Sequence, residues 1–184
     1  MIMYTADLHF GHKNIIAFDK RPFANVNEMD KTLIKLWNEK VQKNDDVYIL
    51  GDFCYRSVNE PSWYLKQLKG KKHLILGNHD KIIQNDNKAI EYFETIEKML
   101  FIIDNKEKIC LCHFPIAEWN GFYSGSWHVY GHIHNQCNET FEFMRNRDRS
   151  LNSGCMINNY VPVSLKELIV NNQIFRVSTS NLKY

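Results

Sequence analysis

Short apolar runs that end in polar, proton-carrying side chains recur along this chain, and each reads as a buried strand. Met1 to Ala6 runs into Asp7-Leu8-His9, and Val47 to Leu50 runs into Gly51-Asp52. His73 to Leu76 ends at Gly77-Asn78-His79-Asp80, Lys108 to Cys112 at His113, and Trp127 to Tyr130 at Gly131-His132-Ile133-His134. Between the first three runs the period changes. Asn25 and Glu28 stand at capping-box spacing, and Met29, Leu33, Leu36, Trp37 and Val41 then recur at helical intervals. That pattern predicts an amphipathic helix of roughly four turns. Ile15 to Phe18 reads as a short helix, and Pro61, Leu65, Leu68 and the stop at Gly70 as another. Strands alternating with helices at these intervals predict an α/β fold.

The second half is less regular. Asn85 to Glu97 predicts one or two helical turns on Ile90, Phe93 and Ile96. Met99 to Ile103 and Lys108 to Cys112, around Asp104-Asn105-Lys106, predict a hairpin. The last third reads as β-rich, with strands at Thr140 to Met144 and Leu151 to Ile157. Ser164 and Glu167 form a capping-box pair that opens one helical turn at most. Ile169-Val170, Asn171-Asn172 and Ile174 to Val177 then read as a closing hairpin. No internal repeat, low-complexity tract or linker divides the chain, so residues 1–184 are expected to form one domain.

Composition narrows the class. Hydrophobic residues make up 44% and charged residues 24%, which excludes a disordered chain. The net charge of +2 neither requires nor excludes a polyanionic partner. No apolar stretch is long enough to span a bilayer, and the N-terminus lacks the basic region of a secretory leader, so no membrane role is expected. Cys54, Cys110, Cys112, Cys137 and Cys155 are odd in number and contain no CxxC pair. They read as reduced core thiols of a cytoplasmic protein.

The chemistry sits just past the strands. Asp7 and His9 are two residues apart and share a face on extended backbone. Ligands of open α/β sheets bind beyond the carboxyl ends of the strands, so Asp7, His9, Asp52, Asn78, His79, Asp80, His113, His132 and His134 can converge there. This set of imidazoles, carboxylates and an amide suits manganese first, with iron, zinc or nickel as alternatives, over the all-oxygen shells of calcium or magnesium. The absence of a cysteine ligand argues against structural zinc. So many potential ligands exceed one four-coordinate ion and fit two ions sharing a bridging carboxylate.

The ordered series Asp7-x-His9, Gly51-Asp52, Gly77-Asn78-His79-Asp80, His113 and Gly131-His132-x-His134 resembles the signature of the calcineurin-like metallophosphoesterase superfamily. The stretch from Asp7 to Ile16 and Arg21-Pro22-Phe23 are most similar to its small, uncapped bacterial and phage members. The resemblance implies a four-layer αββα sandwich of two mixed β-sheets flanked by helices, with the metal site at the strand ends. It implies that Asp7, His9, Asp52 and His134 hold one divalent ion and that Asp52, Asn78, His113 and His132 hold the other. His79 is then the general acid toward the leaving group, oriented by Asp80. Two cations about 3.5–4 Å apart generate hydroxide near neutral pH and clamp a phosphoryl group for in-line displacement. The expected activity is hydrolysis of a phosphate mono- or diester, on a small ester or nucleotide substrate.

Departures from the pattern narrow this further. Ser/Thr protein phosphatases of the superfamily carry Gly-Asp-x-x-Asp-Arg-Gly and an Arg before Gly-Asn-His-Glu. Here Tyr55, Ser57, Leu76 and Asp80 occupy those places, which argues against that subclass. A nuclease or nucleotide pyrophosphohydrolase on the same two ions is the alternative, with nucleic acid admitted as a partner and not indicated. A non-catalytic scaffold, such as the retromer subunit, is disfavoured because every expected ligand is present. His12 and Arg21 are candidate phosphate contacts, although a surface ion pair is the plainer reading of Arg21. His128 shares a strand face with His132 and is either a support for the site or core. Trp119, Phe122 and Tyr123 could line its rim, and Arg145, Arg147 and Arg149 read as a solvated face.

Overall fold

A computed structural model describes residues 1–179. The first half alternates as the period requires: β1 (Ile2–Thr5), α1 (Ile15–Phe18), α2 (Val26–Lys40), β2 (Asp46–Ile49), α3 (Pro61–Leu65) and β3 (Lys71–Ile75). Two short helices follow, α4 (Lys81–Gln84) and α5 (Asn87–Ile90), and then β4 (Phe93–Glu97). The second half contains β5 (Met99–Asp104), β6 (Glu107–Cys112), β7 (Trp127–Tyr130), α6 (Glu139–Arg145), β8 (Ser150–Asn152) and α7 (Leu165–Thr179).

Two four-stranded sheets result, β1-β2-β3-β4 and β5-β6-β7-β8. The first is parallel throughout, and the second is mixed, with only β5 and β6 antiparallel. Because strand side chains alternate, β2 feeds two cores. Val47 and Ile49 meet Met29, Leu33 and Trp37 of α2, while Tyr48 and Leu50 face Ile109, Leu111, Val129 and Leu151 of the second sheet. A third cluster, Tyr130, Ile133, Phe141 and Met144, places α6 on the outer side of that sheet. Helix, sheet, sheet, helix is the expected α/β sandwich, with one sheet mixed where two were expected. Helix α7 packs on β1 and β8, an edge strand of each sheet, and closes that flank.

The α2 start behaves as predicted: Asn25 Oδ1 accepts from the Glu28 amide at 3.0 Å. The hairpin does too. Its two central residues, Asn105 (φ 48°) and Lys106 (φ 74°), are both left-handed, the requirement of a two-residue type I′ turn. No helix among the described residues is long and apolar enough to cross a membrane.

Four local expectations fail. Phe93 and Ile96, read as helical, lie in β4, where pairing with β3 supplies the backbone partners. Thr140 to Met144 lies in α6, capped by Asn138 Oδ1 on the Phe141 amide at 3.0 Å, with Phe141 and Met144 one turn apart on the buried side. Of Leu151 to Ile157 only the first two residues are in β8, and Cys155–Asn158 forms a 3₁₀ turn. The supposed closing hairpin is the body of α7. Ser164 and Glu167 do form the capping pair, but the helix then runs for 15 residues. Its Asn172, which resembled a turn residue, is buried and exchanges hydrogen bonds with the Asn152 backbone, donating to its carbonyl (2.9 Å) and accepting from its amide (2.8 Å).

Candidate metal centre

The loops that leave β1, β2 and β7 hold the expected ligand residues in an uncommon conformation. Asp7 (φ 56°), His9 (φ 52°), Asp52 (φ 53°), His132 (φ 71°) and His134 (φ 53°) are all left-handed. Each such residue costs roughly 1–2 kcal/mol, and strain of this kind concentrates at functional sites. Close approach of the loops requires the adjoining glycines. A Cβ at Gly77 would lie 2.4 Å from Asp52 Oδ1, and one at Gly51 would lie 2.3 Å from His113 Nδ1.

Four ligand atoms, from Asp7, His9, Asp52 and His134, all lie within 4.8 Å of one another. His9 Nε2 is 3.2 Å from His134 Nε2, and Asp7 Oδ1 is 3.8 Å from the latter. Asp52 Oδ2 sits 3.6 Å from His9 Nε2 and 3.6 Å from His113 Nε2, between two groups of side chains. In the second group Asn78 Oδ1 is 3.1 Å from His113 Nε2 and 3.0 Å from His132 Nδ1. His113 Nδ1 donates to the Leu50 carbonyl at 2.7 Å, which leaves its Nε2 lone pair facing Asp52 and Asn78. All seven sequence-predicted ligands therefore meet at one place.

The electrostatics fit a cation. Burial pushes the Asp7 carboxyl up to about 7 and raises that of Asp52. Burial likewise lowers the imidazoles of His9, His113 and His132, which favours neutral rings with free lone pairs. His134 differs: burial would lower it, but its hydrogen bond to Asp19 and the Asp7 and Asp19 charges outweigh that and raise it. Asp7 Oδ2 is buried without a hydrogen-bond partner among the described residues. A buried carboxylate oxygen with no hydrogen-bond donor lacks a compensating partner, and a divalent ion would supply one.

His79 lines the same cleft of about 470 Å³, with His12, Phe18, Tyr55 and Arg56 at its wall. The expectation that Asp80 orients the His79 ring is corrected. Asp80 is fully buried and accepts three backbone amides, from Gly77 (2.8 Å), Asp52 (2.9 Å) and Phe53 (2.9 Å). It ties two ligand loops together. The His79 ring packs on Tyr55 instead, 4.0 Å between centroids, and its own amide donates to Asp52 Oδ1 at 2.9 Å.

Arg21 also departs from expectation, both as a phosphate contact and as a surface pair. It is buried, and its guanidinium is consumed by Asp19, by the carbonyls of Asp7 and Leu8 and by two methionine sulfurs. His12 does face the cleft, largely buried, and its Nδ1 has no hydrogen-bond partner among the described residues. His128 is core: its Nδ1 donates to the Cys110 carbonyl, its Nε2 accepts the Ile116 amide, and burial lowers it to about 4. Trp119, Phe122 and Tyr123 do not line the cleft. Arg147 and Arg149 lie over Phe143 and Trp127 rather than forming a bare charged face. A larger open cleft of about 960 Å³, around Trp63, Lys66 and Tyr92, lacks every ligand residue, so volume does not mark the chemistry here.

Sequence reasoning missed Asp19 and passed over Tyr55 as a site residue. Neither stands in a ligand motif, and only the folded loops bring Asp19 to His134 and Tyr55 to His79.

Comparison with known proteins agrees with this geometry. The family model for the calcineurin-like phosphoesterases matches residues 1–176. The uncharacterized protein MJ1445 of Methanocaldococcus jannaschii is 37% identical over 171 residues, covering 92% of this chain and 89% of that protein. The Gene 66 protein of Mycobacterium phage D29 is 28% identical over 160 residues, 73% of this chain and 79% of its own. Among solved structures, a protein of unknown function from Aquifex aeolicus, AQ665, superposes with a TM-score of 0.72 at 26% identity, covering 91% of this chain and 96% of that one.

Proposed function

Since the chain belongs to the calcineurin-like phosphoesterase family, we propose that it hydrolyses a phosphate mono- or diester with two divalent ions, manganese first. The observation that carries the two-ion reading is Asp52 Oδ2, equidistant at 3.6 Å from one imidazole of each ligand group. Asp7, His9, Asp52 and His134 would hold one ion, and Asp52, Asn78, His113 and His132 the other. Ions so placed activate water near neutral pH and neutralise charge on the phosphoryl oxygens.

The remaining steps belong to the chain. His79, half-buried at the cleft wall, donates a proton to the departing oxygen, and Tyr55 holds its ring in place. His12, at the wall of the same cleft, would contact a phosphoryl oxygen of the ester. Asp80 keeps the Asp52 and Gly77 loops at the separation the ligand groups need. A complete ligand set together with a positioned acid group favours an enzyme over a scaffold.

The test is direct. Metal content is measured on the purified chain, and p-nitrophenyl phosphate, bis-p-nitrophenyl phosphate and a nucleotide panel are assayed with Mn²⁺. Turnover that requires the metal is expected, and the mono- to diester ratio narrows the substrate class. Metal-loaded protein that turns over none of these esters would sink the reading.

A further inference from the structure

Asp19 belongs to no ligand motif. It caps the end of α1, is 4% exposed, and joins two loops that the sequence separates widely. One carboxylate oxygen, Oδ1, is 2.8 Å from His134 Nδ1, across 115 positions of chain. The other, Oδ2, accepts Arg21 Nε at 3.0 Å and Nη2 at 2.9 Å. Arg21 in turn donates Nη2 to the Asp7 carbonyl at 2.8 Å and Nη1 to the Leu8 carbonyl at 2.9 Å. The Asp19 carbonyl accepts Asn135 Nδ2 at 3.3 Å, so the first and last ligand loops are held through one ion pair.

The proton placement follows from elementary chemistry. Beside a guanidinium Asp19 is a carboxylate, which only accepts, so the proton of this contact sits on His134 Nδ1. The Nε2 lone pair is then free, and it points at His9 Nε2 and Asp7 Oδ1. We infer that Asp19, clamped by Arg21, is a positioning residue that fixes the tautomer and aim of His134 and thereby sets the affinity of the ion at Asp7, His9, Asp52 and His134. Carboxylate–histidine–metal relays act in this way, and their loss typically weakens metal binding 10–100-fold. The inference rests on the metal-binding part of the proposed function and not on the ester chemistry.

The full chain is compared with Asp19→Ala and Asp19→Asn by Mn²⁺ titration, following free Mn²⁺ by electron paramagnetic resonance. Wild type is expected to bind two ions. Asp19→Ala weakens one of them by about 10–100-fold and leaves the other unchanged. Asp19→Asn keeps the shape of the side chain but only one acceptor oxygen, enough for Arg21 or for His134 Nδ1 and not for both, and weakens the same ion. Nitrogen-15 spectra of the metal-free protein, recorded at alkaline pH so that the imidazoles are neutral, supply a readout that simple structural damage would not produce. His134 is the Nδ1–H tautomer in wild type and shifts toward Nε2–H in Asp19→Ala. Unchanged affinity for both ions, equal weakening of both, or an unchanged tautomer overturns the inference. Should Asp19→Ala fail to fold, Asp19→Asn decides by the same criteria. A wild type that binds two ions but turns over no ester removes the phosphoesterase reading and leaves this one standing.

Discussion

His79 and its neighbour in sequence, Asp80, point their side chains at different tasks. Asp80 is spent on three backbone amides of two ligand loops, whereas His79 presents its imidazole to the cleft against Tyr55. Substitutions at the two positions should therefore separate. His79→Asn is expected to retain both ions and lose about 10²–10⁴-fold in turnover of esters with poor leaving groups, with much less loss on p-nitrophenyl esters. Metal analysis beside steady-state kinetics checks it, and metal loss in this variant would reassign His79 as a ligand. The five left-handed residues at the ligand positions carry the same lesson at the residue scale. Their backbones are strained, and the Asp7 and Asp52 carboxyls among them are buried.

At the scale of elements, α7 does more than cover apolar surface. Asn172 fills the hydrogen-bonding positions of β8 at Asn152, and the Asn152 side chain donates to the His134 carbonyl at 2.7 Å. A helix in the last tenth of the described chain thus braces a ligand loop. Asn172→Ala would leave the Asn152 amide and carbonyl buried and unpaired, at a cost of about 2–3 kcal/mol. Urea unfolding followed by circular dichroism should show a lower midpoint at an unchanged slope. An unaltered midpoint would mean that water replaces the lost amide. The same residue explains the misreading of this region: paired asparagines resemble a turn until a partner strand is present to receive them.

At the scale of the molecule, the site joins loops from both sheets, with Asp7, His9, Asp52 and Asn78 from the first and His113, His132 and His134 from the second. Ions bound across that seam, as proposed, would stabilise the whole sandwich, because the unfolded chain offers no such site. At free metal of 100 times the Kd the gain is about 2.7 kcal/mol. For a chain of this length EDTA is then expected to lower Tm by roughly 5–10 °C, with recovery on adding Mn²⁺. Calorimetry with and without chelator measures it, and a Tm indifferent to metal would contradict a site that spans the two sheets.

The residues alone determined the α/β class, the first three strands, the capped helix α2, the hairpin at Asn105-Lys106 and the seven side chains that meet at the candidate site. Those features are local. Apolar runs, capping pairs and turn residues act within a few positions, and ligand motifs report the chemistry their side chains can do. Tertiary structure decided the rest. It made β4 a strand by pairing it with β3, turned Thr140 to Met144 and the region after Ser164 into helices, and buried Arg21 away from any substrate. It also gave Asp80 to the backbone and Asp19 to His134. The physical reason is common to these cases: a buried polar group takes the partner that the folded chain brings to it, and no spacing along the sequence encodes that partner.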